Sequence, residues 1–162
     1  RRDTVEDAGA LVLGSLARRI LALEAEAEEL KDRMDPLVRA LCPELLDRPG
    51  VGVLAAAGVF VAFSHPGRLR SEAAFASLAG VAPIPASSGQ RKRYRLNRGG
   101  DRQLNCALHA VVITRLRCHP PTVAYVARRS AEGKSPREIR RCLKRYVARE
   151  LYRLLEASRR VN

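Results

Sequence analysis

Leu16, Ile20, Leu23, Ala27, Leu30, Met34, Leu37 and Leu41 recur at alternating steps of four and three, the seam of a heptad helix. Glu24, Glu26, Glu28 and Glu29 lie outside that seam, so the helix presents one narrow apolar stripe that needs a partner. The partner is either an antiparallel helix of the same chain or a second subunit in a coiled coil. Asp35-Pro36 interrupts the pattern: Pro36 kinks the helix or opens a new one with Asp35 as its cap. Residues 45 to 63 then predict a short helix, a Pro49-Gly50 turn and a second, apolar helix after Gly52, the pattern of a helix-hairpin-helix. Such a turn lets backbone N–H groups face a phosphate without reading sequence, although the same hairpin also serves as a packing unit.

Ser64-His65-Pro66-Gly67 ends that unit, and Ser71 to Ala79 predicts a short helix closed by Gly80. Pro83 and Pro85 keep the next stretch extended, while Tyr94 and Leu96 alternate with Arg93 and Arg95 as on a half-buried strand of a small hairpin. Asp101 is placed to cap a helix with Leu104, Leu108, Val111, Val112 and Leu116 inward, stopping at His119-Pro120-Pro121. Ser135-Pro136-Arg137-Glu138 reads as a capping box that launches a final helix, with Ile139, Leu143, Tyr146, Val147, Leu151 and Leu154 inward. The outer positions of that helix, Arg137, Arg140, Arg141, Lys144, Arg145, Arg149 and Arg153, are a solvated face or a track for a nucleic-acid backbone. The fold expected is mainly α: a long N-terminal coiled-coil helix over 1–43, then a compact helical domain over 44–162. Within that domain the helix-hairpin-helix spans about 44–64, a serine loop 83–98 and a basic helix 136–157.

Charge sharpens the picture. The 162 residues hold 30 Lys+Arg against 17 Asp+Glu, a net charge of +13, which favours a polyanionic partner. Aromatic residues are 4% with no Trp, so contacts to phosphate are expected more than base stacking. No apolar run reaches the roughly 18 residues of a membrane span. A soluble, cytoplasmic protein is expected, and the first residue, Arg1, suggests a segment of something longer.

The four cysteines, Cys42, Cys106, Cys118 and Cys142, form no Cys-x-x-Cys pair and read as buried reduced thiols. Cys106 with His109 and Cys118 with His119 are the nearest thing to a ligand set, and no metal site is expected from them. Carboxylates after residue 50 are scattered, which argues against a self-contained two-metal nuclease.

The candidate chemistry lies at Ser87-Ser88-Gly89, directly before the cations Arg91, Lys92, Arg93, Arg95, Arg98 and Arg102. A hydroxyl can attack a phosphodiester, a glycine lets the backbone approach, and guanidinium groups hold phosphate oxygens in pairs. Composition alone favours a solvated turn with a basic edge. His65, His109 and His119 are remote in sequence from the serines, so a base would have to come from the fold or from elsewhere.

The Pro49-Gly50-Val51-Gly52 hairpin, Leu78-Ala79-Gly80-Val81-Ala82-Pro83, Ser87-Ser88-Gly89 and Arg98-Gly99-Gly100-Asp101-Arg102-Gln103-Leu104-Asn105 occur in that order. This set resembles the C-terminal serine domain of Piv-type DNA invertases and IS110-type insertion-sequence transposases, over about residues 45 to 155. The resemblance implies a DNA transposase and recombinase guided by a structured bridge RNA and associated with the bacterial nucleoid. It implies Ser88 as nucleophile, with Ser87 as the alternative, forming a transient covalent link to DNA. It also implies a separate four-acid domain holding a divalent metal, expected to be Mg, with a coiled coil joining subunits into a dimer or tetramer. No cofactor is expected on the present residues. Gly50, Gly52, the loop cations, Arg140 and Lys144 become the nucleic-acid-binding candidates. Asp101 stands where relatives often carry Asn, and is expected to act as a helix cap. The other function these residues support is a non-catalytic module for nucleic-acid binding and oligomerisation.

Overall fold

The computed structural model describes residues 2–85, 94–95, 97 and 99–158. These form seven helices and two short strands, in keeping with the mainly α class expected. Two compact units divide the chain, Arg1–Leu37 and Val38–Asn162.

The described residues of the first unit lie within helix α1 (Arg2–Leu41), which continues through Pro36. Leu16, Ile20, Leu23, Leu30 and Leu37 of the heptad seam are all exposed in the single chain. Burying them would remove considerable apolar area from water, at about 25 cal/mol per Å².

The second unit has one hydrophobic core. Helix α2 (Pro43–Leu46) starts with proline at its first position and leads through a turn to α3 (Val53–Phe63). In that turn Gly50 has φ +76°, and a Cβ there would lie 3.1 Å from the Val111 carbonyl oxygen, so glycine suits both the conformation and the space. Helix α4 (Glu72–Leu78) is capped by Ser71, whose Oγ accepts from the Ala74 N–H at 3.2 Å. Strands β1 (Ile84–Pro85) and β2 (Tyr94–Arg95) pair antiparallel, with Ile84 opposite Arg95 and Pro85 opposite Tyr94. The expected small hairpin therefore forms, but Tyr94 is exposed rather than half-buried, because among the described residues no further layer covers two residues of strand.

Helix α5 (Arg102–Cys118) begins as expected: Asp101 Oδ1 accepts the Leu104 N–H at 2.9 Å. Leu104, Leu108, Val111 and Val112 are buried along it. The chain does not then run on as a loop. His119-Pro120-Pro121 ends α5 and immediately opens α6 (Pro120–Ala131), an element the sequence reading did not anticipate. Prolines have φ already near helical values and lack only N–H groups that a first turn leaves unpaired, so the pair that stops one helix starts the next.

Helix α7 (Pro136–Ser158) is the centre of the unit and packs against α2, α3, α4, α5 and α6. Its capping box is formed: the Ser135 N–H donates to Glu138 Oε2 at 2.9 Å, and the Glu138 N–H to Ser135 Oγ at 3.4 Å. Ile139, Leu143, Val147 and Leu151 are buried as expected, joined by Ala148, Tyr152 and Leu155. Tyr146, expected inward, is instead exposed and meets Tyr125 of α6 edge-on at 5.7 Å. Tyr152 takes the inward aromatic place, 5.8 Å from Phe63 and 5.7 Å from Phe75, with its hydroxyl donating to the Leu69 carbonyl at 2.8 Å. Of the cysteines, Cys42 is buried, whereas Cys106 and Cys118 are exposed, because the stripe of α5 that meets the core passes through Leu104, Leu108 and Val111 instead.

Candidate functional site

Two glycines hold the root of the segment that joins α4 to α5. Gly80 leaves α4 with φ +68°, and Gly100 packs on it so tightly that a Cβ at position 100 would lie 2.4 Å from the Gly80 Cα and N. No side chain fits between these backbones. Hydrogen bonds fasten the same junction: the Asp101 N–H donates to Leu78 O at 2.7 Å, and Asn105 Nδ2 to Ala79 O at 2.7 Å. Asn97 Nδ2 donates to Ser77 O at 3.2 Å, while its Oδ1 accepts the Gly99 N–H at 3.0 Å. The chain thus departs at residue 80 and returns at residue 100 to the same point. The β1–β2 pair closes it a second time.

Ser87, Ser88, Arg91, Lys92, Arg93 and Arg98 lie outside the described residues. Arg95 is exposed on β2, and Arg102 is exposed in the first turn of α5. Lys144 is spent internally, donating to Asn105 Oδ1 at 2.9 Å. Through Asn105 it braces the Ala79–Gly80 corner. Burial holds its ammonium below the ordinary lysine range, and the charges of Arg140 and Arg141 add to that effect. Arg140 donates from Nε to its own helix, at the Pro136 carbonyl.

A cleft of about 560 Å³ opens beside the loop root. Val81, Ala82, Pro83, Ile139 and Cys142 supply apolar wall, Tyr94 lines it from β2, and Arg95, Arg129, Lys134, Arg141 and Arg145 supply cations. Glu138 is the one acid among the described lining residues. Its carboxylate is held below the usual range by the backbone and hydroxyl of Ser135, to which it is bonded at 2.9 and 2.8 Å. Arg129 pairs with Glu132 and lies with Arg128 against the Tyr125 ring. Tyr125 is pushed up to about 12 by burial first, then by Cys142 and Tyr146. Arg95, Lys134, Arg141 and Arg145 make no ion pair among the described residues. Sequence reasoning missed Arg129 and Lys134, which come from α6 and its exit; a Pro-Pro pair read as a helix start would have revealed both.

Other cations are structural. Arg149 and Arg153 both bond Glu72, at 2.7 and 2.6 Å, tying α7 to α4. Against the desolvation that would raise it, Arg153 and Arg149 lower the Glu72 carboxyl. Arg115 is buried and joins three segments: Nε donates to Pro49 O at 2.7 Å, and its two terminal nitrogens to the Glu150 carboxylate at 2.7 and 3.1 Å. It therefore fixes the Pro-Gly turn on α5 and α7. Gly50 packs against the Arg115 side chain, while Gly52 is exposed at the N-cap of α3 with nothing within 4 Å of an added Cβ.

Among the described residues no three His, Cys, Asp or Glu side chains gather as metal ligands, and no helix is long and apolar enough to cross a membrane. His119 instead holds the start of α6 through Nδ1 and Thr122 Oγ1 at 2.8 Å.

Comparison with known proteins matches residues 42–127, from the start of α2 into α6, to the family described as Transposase IS116/IS110/IS902. The insertion element IS110 uncharacterized 43.6 kDa protein of Streptomyces coelicolor is 33% identical over 128 residues, covering 77% of this chain and 32% of that protein. The insertion element IS900 uncharacterized 42 kDa protein of Mycobacterium paratuberculosis is 29% identical over 135 residues, with the same coverage of each. The chain thus spans about a third of the length of these curated relatives. The family match covers the glycine junction, both strands and the Pro-Gly turn, and on that ground the chain belongs to the IS116/IS110/IS902 family of transposases.

Proposed function

We propose that this chain is the DNA-binding and serine-bearing portion of an insertion-element transposase that acts with a structured guide RNA. Ser88 is the nucleophile, with Ser87 the alternative. The serine oxygen attacks phosphorus and one sugar oxygen leaves, taking up the proton the hydroxyl gives. One phosphodiester is exchanged for another, so the reverse attack rejoins DNA without an external energy source. Guanidinium groups near the loop offset charge at phosphorus in the transition state. A four-acid domain outside these residues supplies divalent metal, expected to be Mg, and the α1 seam pairs subunits so that both halves meet.

The observation that carries this reading is the glycine junction. The motif stretches on either side of the serines in sequence, 78–83 and 98–105, meet at Gly80 and Gly100, and a cation-lined cleft opens at their meeting point. A rigid root beside phosphate-binding groups is what positioning a nucleophile requires. The test is strand exchange by the complete protein on its element ends. Ser88→Ala abolishes exchange while nucleic-acid binding stays within about twofold, and Ser87→Ala retains exchange; recombination by the Ser88→Ala protein contradicts the reading.

A second reading, a non-catalytic module for binding and oligomerisation, draws on the Pro49–Gly52 turn. There Gly52 exposes the start of α3, whose unpaired N–H groups suit a phosphate in the manner of a helix-hairpin-helix. It predicts steep salt dependence of binding and no covalent adduct.

A further inference from the structure

The cleft at the loop root has features that a plain phosphate patch does not need. A patch for duplex backbone requires an accessible row of cations, whereas this site is concave and partly apolar. Its volume of about 560 Å³ is that of a small-molecule pocket. A duplex, whose major groove alone is about 12 Å wide, is far too large to enter. Val81 and Ile139 are buried in its wall, while Tyr94, which also lines it, is 62% exposed. Around this apolar surface stand Arg95, Arg129, Lys134, Arg141 and Arg145, and the facing carboxylate of Glu138 is already engaged by Ser135. Arg129 also keeps a buried Nε–H with no acceptor among the described residues. Flat apolar faces joined to a dianionic flank are the chemistry of a nucleotide, whose base stacks on aromatic or apolar side chains while guanidinium groups take the phosphates.

We propose that this cleft receives one unpaired nucleotide of a nucleic-acid strand. Its base lies against Val81, Pro83 and Tyr94, and the phosphates flanking it lie on Arg141 and Arg145. The proposal rests on the reading that the chain handles nucleic acid, and deepens it from backbone contact to capture of a nucleotide outside the duplex stack. A strand held there passes the root of the serine-bearing segment, so the same glycine junction that anchors the loop fixes the register of the strand.

The experiment measures binding of the 162-residue chain to a 12-nucleotide DNA strand, the matching RNA strand and the DNA duplex, by fluorescence anisotropy across a salt series. A parallel set carries 2-aminopurine at the central position. On a single strand the 2-aminopurine emission shifts on binding. Arg141→Ala/Arg145→Ala weakens single-strand binding about tenfold and reduces the salt slope by about 1.4, from about 0.7 per phosphate. Arg70→Ala/Arg117→Ala, which removes equal charge from exposed positions off the cleft, changes binding by less than about threefold. Tyr94→Ala suppresses the emission shift, and this exposed strand residue keeps the test open even if the double variant fails to fold. Whichever strand, DNA or RNA, shows the cleft-dependent shift is the natural source of the nucleotide. Silent 2-aminopurine on both strands, or equal weakening of duplex and single strand by the cleft pair, overturns the proposal. The Ser88→Ala chain binds as the parent does, so absence of a covalent adduct from the complete parent protein, with 2-aminopurine capture intact, contradicts the serine reading alone.

Discussion

The two ends of α7 carry the same kinds of residue and put them to opposite use. Toward the C-terminal end Arg149 and Arg153 are bonded to Glu72, and Glu150 is bonded to the buried Arg115. Nearer the N-terminal end Arg141 and Arg145 face a cleft whose described lining holds one acid, Glu138, already bonded to Ser135. What decides is the neighbour that tertiary packing supplies: acids from α4 and apolar residues from the loop root lie against different stretches of one cationic helix. A net charge of +13 therefore overstates the charge left for a partner and hides where it is concentrated.

The most damaging way to break the contrast leaves every cation in place. Gly100→Ala drives a methyl into the Gly80 backbone. It is expected to cost about 3 kcal/mol or more in urea unfolding, and to erase the proposed preference of the cleft for single strands, because Val81, Ala82 and Pro83 lose their anchor. Arg115→Ala comes next. It leaves Glu150 and the Pro49 carbonyl without their donor, with an expected loss of about 3 kcal/mol and no change in the salt slope of binding measured below the new melting temperature.

Arg141→Ala/Arg145→Ala gives the reverse pattern. Stability stays within about 0.5 kcal/mol while single-strand affinity falls about tenfold. The smallest effect belongs to Glu72→Gln. The folded carboxyl is lowered from 4.5, so its contribution is complete above that pH and is lost as pH falls through the folded value. The melting temperatures of parent and variant are therefore expected to differ slightly at pH 7 and to converge in acid.

What the sequence made legible was local. The Ser135–Glu138 box, the Asp101 cap, the Pro-Gly turn and Gly80 at the end of α4 each depend on residues a few positions apart, and each forms as expected. Arg115 was not legible, because its partners lie 66 and 35 residues away and nothing in its own neighbourhood marks it as buried. Tyr146 was read inward and Tyr152 overlooked, since a long helix meeting five others buries a stripe broader than any single seam. The Pro120-Pro121 pair signals a helix stop as readily as a start, so α6, and with it the place of Arg129 and Lys134 in the cleft, was not legible. Of the candidate site, the loop's two ends and Arg95 are seen in place. The serines and Arg91, Lys92, Arg93 and Arg98 fall outside the described residues, so their roles stand on the motif order.

The central claim is the proposal that Ser88 becomes joined to DNA. The most direct measurement incubates the complete protein, with the proposed guide RNA and an end-labelled element end, quenches in denaturant, and maps any protein-linked strand by mass spectrometry. The account predicts a covalent phosphoserine adduct at Ser88 that disappears in Ser88→Ala. Strand exchange with no adduct, or an adduct that persists in Ser88→Ala and maps to another residue, contradicts it.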